Sequence, residues 1–178
     1  MRYFLNLIFI GFYSFTTAQG YLPVDEASKV SFKIKNFGSS VDGNFKGLKG
    51  TIDFNPSDVI NARFDVTLST ATIDTGIGMR DNHLRKPDYF GVADFPLIRF
   101  VSTKVVASGK TSEAIITGKL TIKKITKEIS FPFRYSEANG MLQFTGEFQI
   151  NRRDFNVGGS SISLADELKV MIDVKTSK

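Results

Sequence analysis

Leu142-Gln143-Phe144-Thr145-Gly146-Glu147-Phe148-Gln149-Ile150 alternates apolar or small with polar residues at every step. A strand sends successive side chains to opposite faces, so period two means one face against a core and one in water. The same pattern runs outward from this stretch. Upstream, Ile129, Phe131, Phe133 and Tyr135 oppose Glu128, Ser130, Pro132 and Arg134. Asn139-Gly140 lies between the two runs, the residue pair that type I′ hairpin turns favour. Pro132 has no N–H to give a ladder, so its strand is an edge or is bulged there. Before that, Ala114, Ile116, Gly118, Leu120 and Ile122 oppose Thr117, Lys119 and Thr121, and Lys123-Lys124 makes the turn. Downstream, a loop over 152–164 carries Gly158-Gly159-Ser160-Ser161. Leu168, Val170, Ile172 and Val174 then face away from Lys169, Asp173 and Lys175.

Toward the N-terminus, Val30, Phe32 and Ile34 alternate with lysines and a serine, and 36–40 turns the chain. Val41, Gly43 and Phe45 follow, with a break at Gly47; then Gly50, Ile52 and Phe54, a turn at 55–58, and Ala62, Phe64, Val66 and Leu68. Leu97–Val106 alternates imperfectly: Ile98 and Phe100 fall on one face, Val101, Thr103 and Val105 on the other. One long stretch, Ser69–Phe95, breaks the period altogether. Within it, Met79–Leu84 suits a turn and a half of helix that Pro87 ends. Asp88 is placed to cap a second short turn, and Asp81 to begin or cap the first. Short strands at this spacing predict an all-β fold. The expectation is one antiparallel β-barrel of about eight strands, with a short helical segment near 79–90 closing one end.

The chain has 178 residues and begins with one arginine, an uncharged apolar run from Tyr3 to Phe15, and Thr16-Thr17-Ala18. That is the pattern of a secretory signal peptide, 1–18, leaving one domain over 19–178 and an exported protein. No other segment reads as a membrane-crossing helix. There are no cysteines, so stability rests on core burial rather than disulfides. The formal charge of +5 is spread along the strands, a distribution that does not favour nucleic acid.

Nine of the phenylalanines sit on the apolar strand faces: Phe32, Phe45, Phe54, Phe64, Phe100, Phe131, Phe133, Phe144 and Phe148. Ile34, Ile52, Val66, Leu68, Ile116, Leu120, Ile129, Ile150 and Ile172 share those faces. A membrane barrel would turn its apolar side outward; charged and hydroxyl faces on every strand put water outside and grease inside. An eight-stranded barrel is filled by side chains or holds one small ligand. Gly43, Gly50, Gly118 and Gly146 fall in the inward register and add no volume, which favours a lumen for a long, flexible, apolar ligand.

Ser28–Lys35, Ile73-Asp74-Thr75-Gly76, Arg80-Asp81-Asn82-His83-Leu84, Asp94–Phe100, Gly118–Ile122, Thr126-Lys127 and Arg153-Asp154-Phe155 together resemble the YceI-like family, in order and spacing. The resemblance implies a lipocalin-like barrel of the bacterial periplasm or exterior that binds a polyisoprenoid-type lipid, such as an isoprenoid quinone. Two positions depart from the family: Asn36 stands where a histidine is frequent, and Lys124-Ile125 where a glycine is usual.

Expected at a polar mouth are Asn36, Arg80, Asp81, His83, Arg153 and Asp154; the two Arg-Asp pairs serve equally well as loop anchors. No catalytic or metal-binding set is expected: there is a single histidine, no cysteine and no Gly-x-Ser-x-Gly elbow. The partners expected are a long-chain lipid and transient contact with a membrane, with a homodimer compatible with the sequence. Two other readings remain: an enzyme acting on a lipophile, and a solid barrel that binds protein through its outer surface.

Overall fold

The computed structural model describes residues 20–178, so the expected leader lies outside the described residues. The chain runs through β1 (Gly20–Pro23), β2 (Lys29–Asn36), β3 (Ser39–Phe45), β4 (Lys49–Asp53) and β5 (Arg63–Ser69). Helix α1 (Gly78–Leu84) follows, then β6 (Leu97–Ala107), β7 (Glu113–Ile122), β8 (Ile125–Ala138), β9 (Met141–Asn151) and β10 (Leu164–Ser177). The sheet order is β1-β4-β5-β6-β7-β8-β9-β10-β2-β3, all antiparallel, with β1 also paired to β10. β3 and β4 are two arms of one bent stave: β3 pairs with β2, and β4 with β5. Eight staves therefore close a barrel, and β1 fills the gap between β4 and β10. Among the described residues no helix is long and apolar enough to cross a membrane.

The bend between β3 and β4 has an identifiable cause. Gly47 sits at φ 74°, where a side chain is disfavoured. The Asp25 carboxylate accepts the Gly47 and Leu48 N–H groups, each at 2.9 Å, and the Lys46 N–H donates to Thr72 Oγ1 at 2.8 Å. The kink thus keeps its backbone donors satisfied.

Two irregularities of the sequence become features of the wall. The imperfect alternation of β6 is a register shift between Ser102 and Lys104. One extra residue flips the faces, so Val105 is fully buried on the same side as Ile98. Pro132 stands where β8 and β9 part: their pairing runs only from Phe133 to Ala138 on β8, while β8 residues 125–132 pair with β7 alone. The expected edge at Pro132 is this split. Phe155, buried in one cluster with Leu120 and Ile122, packs beside it.

The connections divide into two ends. The turn of Asn139 (φ 55°) and Gly140 (φ 73°), together with the β4–β5 and β6–β7 connections, forms the lower end. The upper end gathers the β2–β3 turn, the 70–96 excursion, the β7–β8 turn and the 152–163 connection. Lys123 Nζ donates to Pro87 O at 2.8 Å and Asn156 O at 3.1 Å, Gly158 N–H to Asp88 O at 2.8 Å, and Phe37 N–H to Ser163 O at 2.9 Å. These bonds stitch the four upper connections into one rim. Residues 87–90 form the expected second short turn.

Candidate functional site

The barrel interior is solid below and hollow above. At the bottom, Phe54, Phe64, Phe133, Tyr135 and Phe144 meet edge to face, with Phe144 5.0 Å from Phe54 and 5.4 Å from Phe64, centroid to centroid. This geometry suits the ring quadrupoles, and it seals the lower end. Above it lies a cavity of about 440 Å³, walled by residues from every stave and reaching the upper rim. That is within the range of about 300–1,000 Å³ usual for ligand sites.

The glycines explain how the upper half stays open, though not through the volume they lack. A Cβ on Gly43 would lie 2.3 Å from Phe32 Cζ, and one on Gly118 2.4 Å from Phe100 Cζ. Each ring therefore lies flat over a glycine of the neighbouring strand, against the wall instead of across the axis. Gly50 and Gly146 answer to backbone proximity: their Cβ positions would meet Asp65 O at 2.0 Å and Pro132 O at 3.2 Å. Across the β8–β9 split, Phe131 and Phe148 stack on each other at 4.4 Å.

Of the expected lining residues, Phe32, Ile34, Phe45, Ile52, Phe64, Val66, Leu68 and Phe100 border the cavity. So do Ile116, Leu120, Phe131, Phe133, Phe144, Phe148, Ile150 and Ile172. Phe54 and Ile129 do not: Phe54 lies just past the end of β4, within the bottom cluster, and Ile129 packs against both core clusters.

The polar expectations divide. Asn36, Arg80 and His83 border the upper opening, joined by Thr75, Ser161 and Ser163. Asp81 is buried instead, in the first turn of α1, whose N-cap position is Ile77. Its carboxylate accepts from the Thr75 N–H at 2.9 Å and from the Thr75 hydroxyl. Arg80 donates from Nε to Thr75 Oγ1 and from Nη2 to Thr75 O, both at 2.7 Å. The Arg80-Asp81 pair therefore clamps the strap that approaches the helix. His83 is exposed and meets the Tyr89 ring edge-on at 4.9 Å. Arg153 and Asp154 lie off the cavity, beside a shallow polar hollow on the outside of the 152–159 segment.

The arginine that matters there is Arg152, which the sequence reading passed over. It is buried, and its guanidinium donates to Ala165 O (2.9 Å), Val157 O (3.0 Å), Gly159 O (2.8 Å), Leu164 O (3.3 Å) and Asp166 Oδ1 (2.8 Å). This fork holds the whole 157–165 loop over one side of the opening. A signal was available: Arg152 continues the inward register of Phe144, Gly146, Phe148 and Ile150. The Arg99 guanidinium hydrogen-bonds the Asp65 carboxyl and holds it below its ordinary value. That pair stands outside the cavity lining.

Fold and cavity define the class: an eight-stave antiparallel barrel with an apolar interior, sealed below and opening through a polar rim. Within that class the chain belongs to the YceI-like family, whose YceI-like domain model matches residues 22–176. It is 32% identical over 158 residues to protein YceI of Salmonella arizonae, covering 82% of this chain and 79% of the relative. Among solved structures it resembles BcnA of Burkholderia cenocepacia, at 26% identity and a TM-score of 0.83, over 87% of this chain and 99% of that one. It also resembles the Campylobacter jejuni YceI protein, at 31% identity and a TM-score of 0.72, over 79% and 86% of the two chains. A polyisoprenoid-binding domain from Saccharophagus degradans shares the fold, at 14% identity and a TM-score of 0.72, over 88% and 97%.

Proposed function

We propose that this protein binds one long-chain isoprenoid or isoprenoid quinone with its tail in the upper barrel, for transport, storage or sequestration outside the cytoplasm. The observation that carries the reading is the cavity: apolar walls, an aromatic floor and a polar rim at a single end. Each buried CH₂ of a ligand tail contributes about 0.8 kcal/mol, so a chain threading this space binds without a dense set of polar contacts. Asn36, Arg80, His83 and the serines of the rim are the groups a modest polar head meets. Kinship with the YceI-like family supports the reading, as does the polyisoprenoid ligand of the Saccharophagus domain with the same fold. The signal-peptide pattern of residues 1–18 supports an exported location, periplasmic or secreted. Binding rather than catalysis fits the rim: its lone histidine packs on Tyr89, and Asp81 is committed to Thr75.

Native mass spectrometry of the mature protein, mixed with a detergent-dispersed isoprenoid quinone, tests this. One quinone per chain is the expected result. Val66→Trp, which fills the space from a half-buried lining position, is expected to weaken binding by about ten-fold or more while the fold survives. Absence of any adduct on the unaltered protein would refute the reading.

A further inference from the structure

The most exposed large apolar side chains among the described residues are Phe37, Met79 and Ile162, at 81%, 84% and 107% relative exposure. They come from three distant parts of the sequence, yet all three belong to the upper rim. Phe37 forms the tip of the β2–β3 turn and itself borders the cavity. Met79 lies in the first turn of α1, next to Arg80 at the opening. Ile162 stands between Ser161 and Ser163, both of which border the opening. Ile77, just before α1, is also exposed.

Phe37 carries a second anomaly. Its φ is 49° and that of Gly38 is 76°, a turn in which Asn, Asp or Gly is favoured at the first position. A bulky aromatic residue is a poor choice for left-handed backbone. Here the ring gains no burial to offset that strain, while the Phe37 N–H is pinned to Ser163 O at 2.9 Å. Strain kept at an exposed position directs attention to function rather than stability.

We infer that this rim is a membrane-docking collar: Phe37, Met79 and Ile162 enter the interfacial layer of a lipid bilayer and set the cavity mouth against it. The inference rests on the proposed lipid ligand and names where that ligand is collected. Three things select a bilayer over a protein partner. The apolar residues are tips spaced around a hole rather than one groove or sheet edge. The hole continues directly into an apolar cavity, so a docked collar gives a water-insoluble tail a path that avoids water. At the same end exposed Lys35, Lys86, Lys124 and Arg153 balance exposed Asp74, Asp88, Asp94 and Asp154, and half-buried Arg80, Arg85 and Lys123 leave a small cationic excess that suits anionic headgroups.

The test uses the mature full-length protein, vesicles of phosphatidylethanolamine and phosphatidylglycerol carrying an isoprenoid quinone, and the triple variant Ile77→Ser, Met79→Ser, Ile162→Ser, none of which lines the cavity. These side chains are exposed, so the fold tolerates the changes. The expected result is a loss of about ten-fold or more in both vesicle co-sedimentation and quinone uptake from vesicles. Uptake of detergent-dispersed quinone stays unchanged. The control, Ile60→Ser with Met141→Ser at the lower end, leaves all three readouts as they are. Equal co-sedimentation by the unaltered protein and the triple variant, or equal uptake from vesicles, would overturn the collar. Loss of detergent-dispersed uptake already in the unaltered protein would refute the ligand reading instead, and vesicle co-sedimentation would still test the collar.

Discussion

The lower and upper halves of this barrel are built from the same residue types and the same alternation, yet one is solid and the other hollow. Below, Phe54, Phe64, Phe133 and Phe144 point at one another across the axis. Above, Phe32 and Phe100 fold back over Gly43 and Gly118, and Phe131 stacks on Phe148. The two halves differ in where the rings go rather than in the amount of phenylalanine: a glycine on the adjacent strand gives Phe32 and Phe100 a place against the wall, whereas Phe133, paired with Gly146, still joins the plug.

The difference predicts unequal costs for equal truncations. Phe144 is almost fully buried among aromatic partners, so Phe144→Ala should cost about 3–5 kcal/mol in urea unfolding. Phe148→Ala, facing open space on one side, should cost about 2 kcal/mol. Equal losses would mean the upper half is packed after all. Arg152 tests the rim rather than the wall. Arg152→Met leaves Asp166 with Arg153 alone and strips four carbonyls of their donor, and a loss of about 3 kcal/mol is expected. Hydrogen exchange over 157–165 should speed up while the β9–β10 ladder remains protected.

The glycines sharpen the comparison further. In Gly118→Ala the new methyl meets Val101 O at 2.6 Å as well as the ring, so backbone must shift, at about 1–3 kcal/mol. In Gly43→Ala the three nearest atoms all belong to the Phe32 ring. It can swing inward, so stability should change less and quinone capacity should fall more. The smallest expected effect lies on the outer wall. Arg99 donates to both Asp65 oxygens, at 2.9 and 2.6 Å, and lowers that carboxyl's pKa. A carboxyl lowered on folding adds stability above its unfolded pKa and loses it as pH falls through the folded value. Both side chains are largely exposed, so Asp65→Asn should cost about 0.2–1 kcal/mol near neutral pH and nothing in strong acid, read by thermal unfolding.

Alternation made the barrel legible, because every stave has one wet face and one dry face. Pro132 and the uneven period of Leu97–Val106 announced irregularities, and the structure resolves them into a strand split and a bulge. The helix at 78–84 was legible from composition and from Pro87 downstream. What alternation does not encode is where along a stave the chain stops being lumen and becomes plug. Phe54 and Phe45 read alike, and only their heights in the closed barrel separate them. Arginine doublets mislead in a similar way. Arg153 has the charge but faces outward, while Arg152, one step along, falls on the inward register and makes the buried fork. The apolar tips at Phe37, Met79 and Ile162 were invisible for the opposite reason: a turn, a helix start and a loop share no period, and only the closed fold sets them around one opening.

The most direct test of the central claim is a high-resolution crystal structure of the protein purified from its native host. Continuous, elongated density is expected, rising from the Phe64–Phe133–Phe144 floor, between the Phe32 and Phe100 rings, to the rim at Asn36, Arg80 and Ser163. Rings of Phe32, Phe100 and Phe148 turned inward to fill the upper barrel, with no density and no space between them, would contradict it.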